Sequence, residues 1–224
     1  MAQNHLETEA LVISVQSAQS LNYQGKVAAA TKVLYCCLRQ DPDDATAAKL
    51  LKLIRRSEAL KKEGNDAYKE GKYDAALEAY RAALALDPAN KNFNSRVLSN
   101  CAAVLFKQGK FGEALSNSNA SLAADESYVK AYCRRAECYM RMGGAENIGS
   151  AIRDYRKAES LLLGRGSPGQ LQELEEQLRE IEQQLIYAQK ALGKGVGGAR
   201  TCPIWESVCA IEKQRKESLA AQRN

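Results

Sequence analysis

Three helix-like stretches decide the fold of this chain, and they are ALKKEGNDAYKEG (59–71), RVLSNCAAVLFKQG (96–109) and VKAYCRRAECYMR (129–141). Aligned with one another on a period of about 34 residues, they place a small residue at the same register, which is Gly64, Ala102 or Ala136. A small residue at a fixed place on a helix lets a second helix pack closely against it. The stretches therefore predict a repeated helical hairpin.

Working outward, four segments carry the same order of small residues, aromatic residues and a turn glycine, and they are 11–44, 57–90, 95–128 and 129–162. The fourth copy contains about three extra residues in GGAENIG (143–149). Between the first and second copies, ATAAKLLKLIRR (45–56) has no Pro or Gly. We therefore expect one long helix from about Asp44 to Glu70.

This spacing resembles the tetratricopeptide repeat (TPR). The resemblance implies an all-α protein, a superhelix of TPR helical hairpins with a C-terminal capping helix. A generic amphipathic bundle would show the apolar stripes but not the fixed Gly/Ala, Tyr and Pro positions. The predicted domains are an N-terminal TPR-like hairpin (1–44), a clamp domain (45–162), a capping helix (168–192) and a flexible tail (193–224). The clamp domain contains three repeats, at 57–90, 95–128 and 129–162.

The predicted capping helix has apolar residues at a 3,4 spacing, from Leu171 to Leu192. The same pattern fits a coiled-coil dimer, but three heptads are the minimum for that interpretation and a TPR array has an apolar end to cover. We favour the cap, and with it a monomer over a dimer.

Composition excludes several function classes. The chain has 224 residues, 45% of them hydrophobic and 26% charged, and its net charge of +5 is spread along the sequence, so neither disorder nor a nucleic-acid partner is indicated. The start resembles no signal peptide and no apolar run could span a membrane. The chain has seven cysteines, and five of them lie among helix-period residues, namely Cys36, Cys37, Cys101, Cys133 and Cys138. This favours reduced thiols in a cytoplasmic protein, with a nuclear location left open.

Catalysis, a metal and a cofactor are not expected. His5 is the single histidine, and Cys202 and Cys209 are too far apart for a CxxC half-site. No Ser/His/Asp or Cys/His set and no Gly-rich phosphate loop is available, so we predict a protein that is not an enzyme.

The first helix of each TPR hairpin lines a concave groove, where residues three or four apart face the same way. The predicted groove side chains are Lys61, Asn65, Asn100, Lys130 and Arg134, with Tyr68, Ala103, Phe106 and Lys107 beside them. No carboxylate is expected on these stripes to neutralise the three cations. Such a groove suits a compact group with two negative charges, and a C-terminal Asp offers its terminal and side-chain carboxylates together.

The pattern LKKEGN, LSN and KAYCRR is similar to the dicarboxylate clamp of co-chaperone TPR domains such as those of Hop. That resemblance implies that Lys61, Asn65 and Asn100 hold a terminal carboxylate, while Lys130 and Arg134 hold the Asp side chain and neighbouring backbone. The implied ligand is the C-terminal Glu-Glu-Val-Asp tail of heat-shock proteins 70 and 90. Tyr68, Phe106 and Lys107 would meet the residues just upstream.

Over about residues 26–190 the chain resembles the TPR region of DnaJ-type co-chaperones such as tetratricopeptide repeat protein 2. It has no His-Pro-Asp tripeptide, so stimulation of the heat-shock protein 70 ATPase is not implied, and the chain is a truncated form or a TPR-only relative. Two other functions stay open: a scaffold acting through the heptad helix or the N-terminal hairpin, and, ranked last, helical-repeat RNA binding.

Overall fold

Residues 14–163 form a chain of helices joined by short turns. The computed structural model describes this range, together with four isolated positions at 169, 172, 176 and 179. The helices are α1 (14–23), α2 (Val27–Gln40), α3 (Ala45–Lys69), α4 (Tyr73–Leu86), α5 (Lys91–Lys107), α6 (Phe111–Ala124), α7 (Val129–Met142) and α8 (Ala145–Leu163). No strand occurs within 14–163. The all-α prediction is confirmed.

The turns inside the second and third hairpins have one geometry. Gly71 and Gly109 have φ values of 75° and 76°, in the left-handed region that favours glycine. In each turn the amide of the next lysine reaches five residues back, from Lys72 to the Ala67 carbonyl and from Lys110 to that of Leu105, both at 2.9 Å. This bond closes the end of the first helix and reverses the chain.

The long helix predicted between the first two hairpins is present as α3. Its first turn is capped by Asp44, whose carboxylate accepts from the amides of Thr46 at 2.9 Å and Ala47 at 3.0 Å. Its first half packs against the N-terminal hairpin in one core cluster of Val15, Ala18, Ala30, Leu34, Cys37, Ala47, Leu51 and Ile54. Its second half pairs with α4. One continuous helix therefore belongs to two hairpins.

The described residues fall into two compact units, and the division lies between Arg134 and Arg135. In the second unit Arg135 binds Asp154 through two parallel bonds of 2.7 Å, from Nε and Nη2 to the two carboxylate oxygens. Asp154 is buried, so this pair fastens α8 to α7 at Arg135. The predicted domain bounds stay a prediction, and the capping helix (168–192) and tail (193–224) lie outside the described residues apart from the four isolated positions.

The structure describes five cysteines, and all of them lie on helices. Cys37, Cys101 and Cys138 are buried and Cys133 is half-buried, but Cys36 is exposed on α2. In the described range every helix is too short or too polar to cross a bilayer.

Candidate functional site

The two asparagines of the predicted clamp meet directly. The Asn100 Nδ2 on α5 donates to the Asn65 Oδ1 on α3 at 3.1 Å, and the Tyr80 hydroxyl on α4 donates to the same oxygen at 2.7 Å. Both acceptor positions of the Asn65 carbonyl are therefore filled. Its Nδ2 group makes no hydrogen bond within residues 14–163, so the donor end of this amide is held in one orientation and is available to an acceptor.

Tyr80 sets that orientation from a buried position. Its side chain is 2% exposed, and burial raises its pKa from 10.0 to about 12, although the charge of Arg134 and a hydrogen bond with Asn100 act in the other direction. The phenol therefore stays protonated and donates at any physiological pH. Its ring crosses α3 at Gly64, where a Cβ would lie 2.5 Å from the ring. The small residue predicted at this register is what admits the tyrosine.

Lys61 is already paired with an acid. Its Nζ lies 2.5 Å from Glu58 Oε2, one turn earlier on α3, and 5.2 Å from the centre of the Phe93 ring. The prediction that no carboxylate neutralises the groove cations is wrong at this position. Residues three apart share a helix face, so the stripe of Lys61 and Asn65 continues back to Glu58. The prediction did not include that residue.

Arg134 and Lys130 show a different arrangement. Arg134 Nε donates to the buried Ser99 hydroxyl at 3.0 Å, which anchors the guanidinium beside Asn100 on α5. Its charge also acts to lower the pKa of Tyr128, which burial raises. Lys130 lies one turn earlier on α7 and is exposed. Within the described residues, no acidic side chain pairs with either cation.

The four groove residues predicted beside the clamp differ in their surroundings. Tyr68 packs at a tilt against Tyr73, with ring centres 6.0 Å apart, and Phe106 packs edge-on against Phe111 at 5.3 Å. Each pair brackets a turn glycine, so these rings have a structural role whether or not a ligand reaches them. Ala103 is buried and Lys107 is exposed.

The structure thus brings Asn65 and Asn100 into contact, and Arg134 bonds to Ser99, the residue before Asn100. Lys61 is paired with Glu58, whereas Lys130 makes no ion pair in the described range. Sequence reasoning missed the supporting residues Tyr80, Ser99, Phe93 and Glu58. Glu58 could have been found by extending the α3 stripe one turn. Tyr80 was noted only as a repeat aromatic, and nothing in the sequence marks its hydroxyl as a partner of Asn65.

Comparisons with known proteins agree with this arrangement of helices. Residues 64–96 match the family model described as TPR repeat. The TPR-domain crystal structure of P58(IPK) superposes with a TM-score of 0.63 at 20% identity, covering 80% of this chain and 48% of that one. The fold is that of a TPR protein. The solution structure of the first TPR domain of human RNA polymerase II-associated protein 3 gives a TM-score of 0.50 at 30% identity, covering 60% of this chain and 95% of that one.

In sequence the chain is related to a DnaJ homolog subfamily C member 7 homolog of Dictyostelium discoideum, with 38% identity over 142 residues. That match covers 63% of this chain and 26% of the relative. The chain therefore spans about a quarter of the length of this relative.

In the described residues no three His, Cys, Asp or Glu side chains come together as a metal site. The chemistry that Asn65, Lys130 and Arg134 offer is hydrogen-bond donation and positive charge.

Proposed function

We propose that this chain is a TPR co-chaperone adaptor that binds the acidic C-terminal Glu-Glu-Val-Asp tails of heat-shock proteins 70 and 90 through a dicarboxylate clamp. The proposed clamp residues are Lys61, Asn65, Asn100, Lys130 and Arg134. The observation that carries the proposal is the Asn65–Asn100 contact at 3.1 Å, because it brings the first helices of two repeats to one point in the way a shared ligand site needs.

The donors suit carboxylate oxygens. The Asn65 amide is fixed by Tyr80 and Asn100, so little side-chain entropy is lost when its Nδ2 binds an acceptor. Arg134 uses Nε for Ser99, and its terminal nitrogens make no ion pair in the described range, which leaves them to reach an anion together with Lys130. Charge-assisted hydrogen bonds are worth about 1.5–3 kcal/mol each, and the cost of immobilising the peptide offsets much of their sum. We expect micromolar affinity, on the order of −8 kcal/mol.

The relationship to DnaJ subfamily C member 7 homologues supports the co-chaperone part of the proposal. We propose a non-catalytic role in the cytoplasm, with the protein acting as a monomer. Nucleic acid and membranes are not among the proposed partners.

The test is calorimetric titration of the full chain with a peptide ending in Glu-Glu-Val-Asp. The control peptide ends in Asn with a C-terminal amide, so that both carboxylates are removed and the rest of the sequence is kept. We expect micromolar binding of the first peptide and at least tenfold weaker binding of the second, equivalent to about 1.4 kcal/mol. Equal affinities for the two peptides would reject the clamp.

A matched pair of lysine variants places the interaction on the groove. Lys130→Ala should weaken binding about tenfold or more, because it removes a charge-assisted hydrogen bond. Lys49→Ala removes an equal charge from an exposed position in the first half of α3 and should leave the affinity unchanged. If both variants lose affinity equally, the peptide is responding to net charge and not to this site.

A further inference from the structure

The first half of the clamp already contains an internal acid. Glu58 Oε2 lies 2.5 Å from Lys61 Nζ, and the two side chains are only 34% and 23% exposed. Phe93 lies beside the same ammonium group at 5.2 Å. Lys61 is therefore held between a carboxylate and an aromatic ring before any ligand arrives.

The second half lacks such an acid. Lys130 and Arg134 share a face of α7, four residues apart, and neither makes an ion pair in the described part of the chain. The neighbour of Arg134 is the neutral hydroxyl of Ser99. Two cationic subsites of one proposed clamp thus differ in whether an internal carboxylate occupies them.

We infer that Glu58 takes the place of the ligand's terminal carboxylate on Lys61 in the unbound protein. It thereby lowers what the terminal carboxylate contributes to affinity and leaves the second carboxylate as the main charged contact. The inference rests on the proposed function. When a peptide binds, its terminal carboxylate can displace Glu58, which exchanges one carboxylate for another on Lys61. Alternatively, it shares the Lys61 ammonium group with Glu58 and is repelled by the Glu58 carboxylate. In both cases the contact with Lys61 adds little affinity.

The exchange at Lys61 changes which ligand group supplies the affinity. A ligand with a lone terminal carboxylate gains only the amide donors of Asn65 and Asn100, whereas a ligand with an Asp side chain also gains two cations that no internal acid occupies. Glu58 thus weakens the contact with the terminal carboxylate, which every polypeptide has, and makes affinity depend mainly on the Asp side chain.

The test is a cycle of two proteins and two peptides. The full chain and its Glu58→Gln variant are titrated with the Glu-Glu-Val-Asp peptide as free acid and as C-terminal amide. We expect the variant to bind the free acid about two- to fivefold more tightly, the range that partly exposed ion pairs give, and the amide no more tightly than the original protein does. The penalty for amidation therefore rises by the same factor. In a Lys61→Met background, Glu58→Gln should give no gain.

Glu63→Gln is the matched control, because Glu63 is exposed on the same helix and makes no ion pair in the described range. It should leave both affinities unchanged. An equal gain for both peptides, an equal gain from Glu63→Gln, or no gain at all overturns the inference while the proposed function stands. Failure of both proteins to bind the free acid overturns the proposed function, and the inference with it.

Discussion

The second and third hairpins share their turns but differ at their closest helix contact. In the α3/α4 hairpin Gly64 faces the ring of Tyr80, while in the α5/α6 hairpin the equivalent positions hold Ala102 and Ser118, both buried. The Gly64–Tyr80 pair and the Ala102–Ser118 pair each fill the space between their two helices, as the close packing of protein interiors requires. In the first combination the tyrosine hydroxyl reaches Asn65, whereas the Ser118 hydroxyl donates to the Ala114 carbonyl of its own helix at 3.0 Å. A buried hydroxyl of one hairpin therefore holds the Asn65 amide, and the matching hydroxyl of the next hairpin stays within its own helix.

The largest effect is expected from Tyr80→Ser, which gives the second hairpin the serine of the third but leaves Gly64 opposite. The ring is 2% exposed, so its removal opens a cavity that should cost about 3–5 kcal/mol in the free energy of unfolding. Urea denaturation followed by circular dichroism measures the loss. A loss under about 1 kcal/mol would mean that the hairpin collapses around the missing ring. The Gly64–Tyr80 contact would then be no more important for stability than the Ala102–Ser118 contact.

The next effect is expected from Gly64→Ala, which places a Cβ 2.5 Å from the Tyr80 ring and should destabilise the chain by about 1–3 kcal/mol. Gly112→Ala on α6 is the matched control, because no atom lies within 4 Å of its Cβ position, and it should be neutral or stabilising by about 0.5 kcal/mol. Combining Gly64→Ala with Tyr80→Ser recreates the small-residue combination of the third hairpin, so the double variant should lose less than the sum of the two single losses. Additive losses would show that the two positions do not interact.

Ser121→Ala tests the third hairpin. The Ser121 hydroxyl donates to the Ser95 carbonyl at 2.7 Å and lies 3.1 Å from the Ser95 hydroxyl, with both residues fully buried. Removing it leaves the Ser95 hydroxyl without that partner, which should cost about 1–2 kcal/mol. Binding of the Glu-Glu-Val-Asp peptide should be unchanged at temperatures where the variant is folded. A selective loss of binding would place the serine contact in the positioning of the ligand.

The smallest effect on stability is expected from Tyr80→Phe, which keeps the ring and removes the bond to Asn65. We expect a loss of about 0.5–1 kcal/mol, because Asn100 still donates to the Asn65 oxygen. The pKa of Tyr80 is raised from 10.0 to about 12, so this stabilisation is fully present below pH 10 and is lost as pH rises through 12. The difference in unfolding free energy between the original protein and Tyr80→Phe should thus be constant from about pH 6 to 9. Peptide affinity should fall as well, in contrast to Ser121→Ala.

The repeat pattern was enough to predict the helices, because small residues, turn glycines and prolines recur at fixed spacing and each has a local physical reason. The long α3 was predicted because no breaker interrupts residues 45–56. The meeting of Asn65 and Asn100 depends on how two hairpins stack. The sequence predicted both residues for the groove from the TPR pattern but did not contain their contact distance or the Tyr80 hydroxyl beneath them. The error at Lys61 arose because a helix stripe was followed in one direction only.

The length and continuity of helix α3 fix the distance between its two ends. It is 25 residues long, which corresponds to about 37 Å, and no break separates the half that packs on the N-terminal hairpin from the half that carries Lys61 and Asn65. The helix acts as a rigid spacer and not as a tether. Any protein held by the N-terminal hairpin would sit at a set distance and rotation from a peptide end held at Asn65, so the chain would orient two partners as well as recruit them.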